Sequence, residues 1–430
     1  MEKLSTQPYK GTRDFYPREM VLRNWFFGKI RKTLEDAAFD EYAGPMLESL
    51  ELYAAKSGEE IANEQTYHFT DRGDRHLAIR PEMTPTVARM VSNKIGELNF
   101  PLKWFSMPNC YRYERPQRGR LREFWQVNVD IFGCDTYEAD LETITSAIRI
   151  LRAFGADETM FRVHINNRRF FNDVIDAIVM SNEDGMSRKV SKIVDKKNKI
   201  PRENYEKEMG ELGITAEQIA KIDALYGMSV ADAVALCPES RGAQELASLF
   251  EMLGKMGLDR YCIFDFGIVR GLDYYTGTVF EVFDLAPENN RAMFGGGRYD
   301  NLVGLFVKNQ ISGVGYGLGD VTLENFLTIH NLIPDLYTGG TKVLVTVFDD
   351  VSYEHTACLV EALRDAGVAS TLYVGKKKFG KQLDWGVKQG FSHVVIIGGS
   401  EYEAGEAKVK NLVSREEQTV KVEDLVAFFA

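Results

Sequence analysis

The stretch LREFWQVNVDIFG, residues 121–133, does most to limit what this chain can fold into. Along an extended strand, successive side chains point to opposite faces. Phe124, Gln126, Asn128 and Asp130 therefore share one face, and Trp125, Val127, Val129 and Ile131 share the other. One face is apolar and made for packing, the pattern of an antiparallel sheet with one side on a core. The other carries an aromatic ring, two amides and a carboxylate, and the ring sets it apart from a face that merely meets water. By the same count Arg112 and Glu114 share a face in the strand before it. Two antiparallel strands would thus offer one polar surface suited to a base, phosphates and a small polar ligand.

The loop between those strands belongs to YRYERPQRGRLREFWQ, residues 111–126, which holds five arginines: Arg112, Arg115, Arg118, Arg120 and Arg122. The whole chain carries a formal net charge of −11. A dense arginine cluster repels itself unless anions come to it, and the planar guanidinium fork suits phosphate. Taken alone, the loop also fits a solvated hairpin tip. Two further basic stretches stand out: residues 187–202, with seven Lys or Arg against one Asp, and GKKKFGK, residues 375–381. A pI near 5.3 argues against a protein that coats nucleic acid indiscriminately, but leaves room for local patches.

At 430 residues the chain can hold two or three domains, and 44% apolar with 27% charged residues is ordinary for a globular protein. No apolar run is long enough to span a bilayer, and the opening MEKLSTQPYKGTRDFYP lacks an apolar export signal. The five cysteines are scattered without a CxxC pair, and the six histidines form no metal-binding pattern. We expect a cytoplasmic protein with no structural disulfide and no protein-bound metal.

Apolar spacing predicts a helix over residues 20–38 and another in MLESLELYAAKSGEE after Pro45. Residues 65–133 read as strands with turns at DRGDR and PQRGR, residues 136–153 as a helix, and 168–256 as a charged helical insertion. Strands return from YCIFDFGIVRGLDYYTGTVFEVFD to about Gly319. After a linker at TGG, residues 341–430 read as a β-α-β-α-β unit, a small open α/β domain. The lysine run falls at one of its strand-to-helix turns, where such sheets bind ligands.

Two more segments carry chemistry. In GVGYGLGD, residues 313–320, glycine at every other position strips one strand face bare, so that a flat ligand can lie against the backbone; Asp320 then caps a helix. A dinucleotide-binding loop is the rival reading, weakened by the missing third glycine spacing. In VRGLDYYTGTVFE, residues 269–281, Arg270 on a buried strand requires an anion, either a ligand or a salt bridge with Asp273 or Glu281.

RGLDYYTGTVFE and GGGRYD, residues 295–300, resemble the two signature peptides of histidyl-tRNA synthetases. KGTRDFYP is similar to that family's opening, and FDEYAGPMLE to the first class II motif, which builds a dimer interface. RPEMTP, residues 80–85, resembles its amino-acid-binding loop, YRYERPQRGRLREFWQ the second motif and GVGYGLGD the start of the third. Residues 341–430 are similar to its anticodon-binding domain. The resemblance implies an α+β catalytic domain, an antiparallel sheet flanked by helices, over 1–167 and 257–335. The helical insertion 168–256 and the C-terminal α/β domain complete the chain.

The resemblance also implies roles. Arg112 and Arg270 are the catalytic cations, both reaching the α-phosphate and the histidine carboxylate. Glu82, Thr84 and Gln126 hold the histidine amino group, Asp130 and Tyr275 its imidazole, with Tyr274 and Tyr299 in the pocket. Glu114 meets the adenine amino group, Phe124 stacks on its ring, Arg120 takes the outer phosphates, and Gly315 and Gly317 form the floor. Arg115 and Gln117 face the tRNA, as would Lys376, Lys377 and Lys378. ATP with Mg²⁺, L-histidine and tRNA(His) are the implied partners, in a homodimer. An imidazole paired with a carboxylate, with both ring nitrogens bonded, leaves wrong amino acids with unpaired buried groups and rejects them by roughly 10⁴-fold.

The third motif departs from the family, which places there an acidic residue and a phosphate-gripping arginine: Val321 and Thr322 stand instead. Arg120, Arg122 or Mg²⁺ is expected to carry that load. Asp130 is one methylene shorter than the glutamate of some relatives. Two other readings stay open: a catalytically silent, histidine-sensing regulatory paralogue, and a free-standing ATP-dependent enzyme acting on a small acid.

Overall fold

The computed structural model describes residues 4–54, 65–180, 185–197, 200–269, 274–289, 291–308, 310–336, 341–348, 353–375 and 378–429. Arg270, Lys376, Lys377, the TGG linker and the last six residues of MLESLELYAAKSGEE lie outside them. The chain divides into two compact units, Met1–Ile333 and Pro334–Ala430.

The first unit is built on a nine-stranded sheet among the described residues. Its order is Asp40–Glu41, Leu102–Ser106, Glu123–Phe132, Gly313–Gly319, Ala292–Arg298, Thr278–Asp284, Phe161–Asn167 and Cys262–Phe264. Asn109–Tyr111 pairs the Glu123–Phe132 strand off that path. Pairing is antiparallel through the centre and parallel only at the two ends. The parity read from the sequence holds: Val127, Val129 and Ile131 enter the main core with the helices Pro17–Glu35 and Tyr137–Ala153. In Tyr137–Ala153 the buried Ile144, Ala147, Ile148 and Leu151 form one stripe at helical spacing.

Between residues 168 and 255 every described element is helical: Arg168–Val179, Met186–Val194, Arg202–Glu211, Ala216–Asp223, Val230–Leu236 and Arg241–Lys255. The basic stretch within it is partly neutralised at home. Lys197 and Arg202 both reach Asp223 at 2.6 Å, and Lys196 lies 3.3 Å from Glu208.

Three expectations are corrected. Leu47–Ser49, expected to begin a helix, is a strand paired with His76–Ile79, and a helix follows only at Leu50–Ala54. Thr84–Asn93, expected within the strand-like stretch, is a helix; its β-branched residues favour strand locally, but Val87, Ala88 and Val91 are fully buried on one helical face. Residues 265–269 are not a strand, so among the described residues the strands around the first signature peptide are Cys262–Phe264 and Thr278–Asp284.

Among its described residues the second unit holds, along with helices, a five-stranded sheet in the order Ala369–Leu372, Lys342–Val345, His393–Ile396, Glu406–Asn411, Glu417–Lys421. The first three strands are parallel and the last two antiparallel. Lys378 is the N-cap of the helix Phe379–Lys388, at the strand-to-helix turn read from the sequence.

Candidate active site

A cavity of about 400 Å³ opens on the polar face of the central sheet. Phe124 and Gln126 line it from one strand, Gly315 and Gly317 from the next. The glycines are needed for packing as much as for a ligand. A Cβ at Gly315 would sit 2.3 Å from Asp130 Oδ1, and one at Gly317 2.3 Å from Gln126 Nε2. The bare strand therefore lets two polar side chains lean across it, and Gln126 Nε2 donates to Asn128 Oδ1 at 2.9 Å.

Arg112 lies just past the Asn109–Tyr111 strand, its guanidinium carbon 5.3 Å from the Phe124 ring centre. Its Nε donates to Pro81 O at 3.0 Å. Arg80 in turn donates to Asn109 O and Gly44 O, each at 2.8 Å, which pins the RPEMTP loop against the strand and delivers Glu82 and Thr84 to the cavity. Glu114 and Arg120 line the same cavity and approach each other at 3.3 Å.

Tyr274, Tyr275 and Tyr299 complete the opposite wall, all buried. The Tyr299 hydroxyl donates to Asp130 Oδ1. Burial pushes the Asp130 carboxyl up to about 7, against the opposing pull of the Tyr299 and Tyr42 hydroxyls. An acid with a raised folded-state pKa takes up a proton on folding at any pH between its unfolded and folded values. Its contribution to stability is therefore present in acid and is lost as pH rises from about 4 to about 7. We expect Asp130→Asn to melt at a temperature that gains on the wild type across that interval and runs parallel to it above. Thermal melts from pH 4 to 8 check this, and parallel curves throughout would contradict it.

Of the sequence-predicted site residues, the cavity thus brings together Glu82, Thr84, Arg112, Glu114, Arg120, Phe124, Gln126, Tyr274, Tyr275, Tyr299, Gly315 and Gly317, with Asp130 bonded directly behind. Arg115 and Gln117 are exposed and do not line it. Arg270, Lys376 and Lys377 are outside the described residues.

Two expectations fail here. Arg122 is engaged elsewhere: its Nε donates to Glu114 O at 3.1 Å, its Nη1 donates to the Tyr9 hydroxyl, and it stacks 4.3 Å from the Tyr113 ring centre. Asp320 is not a cap but the first residue of the helix Asp320–Ile329, whose N-cap is Gly319. Its carboxylate takes Arg13 Nη2 at 2.5 Å and Trp125 N at 3.0 Å. Thr322 lines the cavity, but its hydroxyl donates to Gly319 O at 3.0 Å.

Sequence reasoning missed Glu281, Met293 and Phe294 as lining residues. Glu281 pairs in register with Gly295, so a glycine opposite a strand carboxylate was the available signal. Met293 and Phe294 read as core residues and carry no such mark. Among the described residues no cluster of three His, Cys, Asp or Glu could hold a metal ion, and no helix is long and apolar enough to cross a membrane.

Comparison with known proteins follows the same lines. Residues 11–321 match the family model "Histidyl-tRNA synthetase", and residues 342–430 match "Anticodon binding domain". The chain is 43% identical over 422 residues to a histidine–tRNA ligase of Leptospira biflexa, covering 97% of this chain and 96% of that one. It is 36% identical to the chloroplastic/mitochondrial histidine–tRNA ligase of Arabidopsis thaliana, covering 99% and 87%. The crystal structure of histidyl-tRNA synthetase from Nostoc superposes with a TM-score of 0.81 at 26% identity, covering 99% of both chains. With a family model over more than half its length and full-length relatives above 30% identity, the chain belongs to the histidyl-tRNA synthetase family.

Proposed function

We propose that the protein is a histidine–tRNA ligase, and that the cavity under the bare glycine strand is where histidine and ATP meet. The observation that carries this is the convergence, in one volume, of residues from five separated motifs: Glu82 and Thr84, Arg112 and Gln126, Tyr275, Tyr299, and Gly315 and Gly317. Relatives matched over nearly the whole length carry that activity in their names, which disfavours the silent regulatory reading.

In the first step a histidine carboxylate oxygen attacks the α-phosphorus of ATP, a new P–O bond forms, and pyrophosphate leaves with its bonding electrons. In the second, the terminal ribose hydroxyl of tRNA(His) attacks the adenylate's carbonyl carbon, loses its proton, and AMP departs. Neither step needs a covalent enzyme intermediate. The enzyme's part is alignment and charge stabilisation at the reacting phosphate. Arg112 supplies that charge beside Phe124, on which the adenine stacks, with Arg270 as its counterpart by family position. Glu82, Thr84 and Gln126 receive the amino group, and Asp130 with Tyr275 the imidazole. ATP would arrive as its Mg²⁺ complex, the ion supplying positive charge at the phosphates. Arg115, Gln117 and the lysines 376–378 are the tRNA contacts. The molecule works as a cytoplasmic homodimer.

The outer phosphates are the load of Arg120. Asp320 is tied back to Arg13, Thr322 to the backbone and Arg122 to Tyr9, while the Arg120 side chain is 59% exposed and, among the described residues, contacts Glu114 at 3.3 Å. Arg120→Ala is expected to raise the KM for ATP about tenfold while leaving that for histidine within twofold. Unchanged ATP kinetics in that variant would leave the phosphates without an assigned cation. The function itself is tested by histidine-dependent ATP–pyrophosphate exchange and by charging total tRNA with each of the twenty amino acids. Exchange with another amino acid, or none, overturns it.

A further inference from the structure

The corner where the strand Phe161–Asn167 runs into the helix Arg168–Val179 plays no part in the chemistry above, yet it is bonded on both sides of the segment that carries Tyr274 and Tyr275. On one side Asn166 Nδ2 donates to Phe266 O at 2.9 Å and Ile268 O at 3.1 Å, and Arg168 Nη1 donates to Val269 O at 3.0 Å. On the other side the Arg168 amide donates to Gly277 O at 2.8 Å.

The Asp300 carboxylate is the meeting point. Its Oδ2 accepts from the Thr276 hydroxyl at 2.7 Å and from Arg169 Nη2 at 2.8 Å, and its Oδ1 accepts from the Ser312 hydroxyl at 2.8 Å. The Asp300 amide donates back to Thr276 Oγ1 at 3.1 Å. Arg169 is fixed from behind, its Nη1 donating to both Glu245 oxygens at 2.8 and 2.9 Å, and Glu245 belongs to the helix Arg241–Lys255. Gly277 leaves the room for this, since a Cβ there would come within 2.9 Å of Arg169 Nη1.

We propose that Asp300, clamped by Arg169, is a positioning residue for the histidine side of the cavity, through which the helices Arg168–Val179 and Arg241–Lys255 hold the pocket's tyrosines in place. Tyr275 is the direct neighbour of Thr276, and Tyr299 the direct neighbour of Asp300 itself. One carboxylate therefore ties together the two segments that carry the tyrosine wall of the pocket, and Tyr299 passes that placement on to Asp130 through its hydroxyl. The adenine side, built on Phe124 and Glu114, lies on other strands and loops. A charge-assisted bond between half-buried groups fixes geometry more firmly than a neutral one, and a small displacement of a binding wall is felt as lost substrate affinity. The assignment to histidine rests on the ligase reading of the cavity.

The test measures ATP–pyrophosphate exchange of Asp300→Ala, Asp300→Asn and Arg169→Gln, with the amide hydrogen exchange of residues 274–279 followed alongside. Asp300→Ala is expected to raise the KM for histidine about tenfold with the KM for ATP within twofold. Asp300→Asn, which keeps one acceptor oxygen, puts an NH2 donor in place of the other and loses the charge, falls between it and the wild type. Combining Arg169→Gln with Asp300→Asn is expected to add little to either alone, because both break one contact. Amides at 274–279 exchange faster in Asp300→Ala. Equal rises in both KM values with a lowered melting temperature, or unaltered amide protection, overturn the proposal. A wild type without histidine-dependent exchange sinks the ligase reading instead, and the amide protection still decides whether Asp300 holds the tyrosine segment.

Discussion

Replacing Arg112 with alanine is expected to lower kcat for histidine-dependent pyrophosphate exchange by about 10³-fold, with a much smaller change in the KM for either substrate. The expectation comes from how the side chain is tethered. Its Nε is spent on Pro81 O, and its guanidinium lies over the Phe124 ring. The two terminal nitrogens are left as the reactive fork, and no carboxylate among the described residues pairs with Arg112. A cation held in this way stabilises negative charge wherever it grows, and charge at the α-phosphate grows most in the transition state, so the loss falls on kcat. Arg120, at the exposed mouth of the cavity, has no such leverage because water screens it. Arg112→Lys separates charge from geometry. Lysine keeps the positive charge but loses both the Nε tether and the fork, and is expected to recover no more than about tenfold of the deficit. A kcat in Arg112→Ala within tenfold of the wild type would mean that the phosphate is stabilised by something else.

How far the site could be read in advance depends on where its partners lie along the chain. The two faces of Glu123–Phe132 were legible because a period of two survives any change in the rest of the fold, and Phe124, Gln126 and Asp130 followed from it. The bare face of Gly313–Gly319 was legible for the same reason, although what fills it, Asp130 and Gln126 rather than a ligand alone, required the register of the two strands. The roles of Glu82, Thr84 and Tyr275 came only from family resemblance; nothing in their spacing distinguishes RPEMTP from any turn before a helix. The Thr84–Asn93 helix was lost because local β-propensity and tertiary burial disagree there, and burial wins. Asp320 was misread as a cap because helix-start residues of that type usually are; its true partner, Arg13, stands 307 residues away. Long-range ion pairs of this kind leave no periodic trace.

Arg298 is the extreme case, and it carries the largest expected effect on stability. The sequence presents it as one arginine in GGGRYD, but in the fold it is 1% exposed and satisfied at every nitrogen. Its Nε and Nη2 donate to Asp140, Nη2 also to Thr136 O at 2.8 Å, and Nη1 to Cys134 O at 2.8 Å and to the Ser312 hydroxyl. Asp140 is itself 2% exposed, in the first turn of Tyr137–Ala153. Burial pushes its carboxyl up to about 6 even with Arg298 beside it, so removal of the guanidinium drives it higher still. Arg298→Ala is therefore expected to cost about 3–5 kcal/mol near neutral pH, where Asp140 must be buried either unpaired or at the expense of taking up a proton. At pH 5 most of Asp140 is already protonated in the fold, so the loss there should be distinctly smaller. The double variant Arg298→Met, Asp140→Leu should recover much of the deficit, because the penalty belongs to the orphaned carboxylate rather than to the missing pair. Urea titrations of the three proteins at pH 5 and pH 7.5 separate these outcomes. An equal loss at both pH values, or no recovery in the double variant, would assign Arg298 to packing alone. With the loss confined to neutral pH and recovered in the double variant, the arginine of the second signature peptide is a strut beneath Tyr299, and its effect on activity is carried through that neighbour.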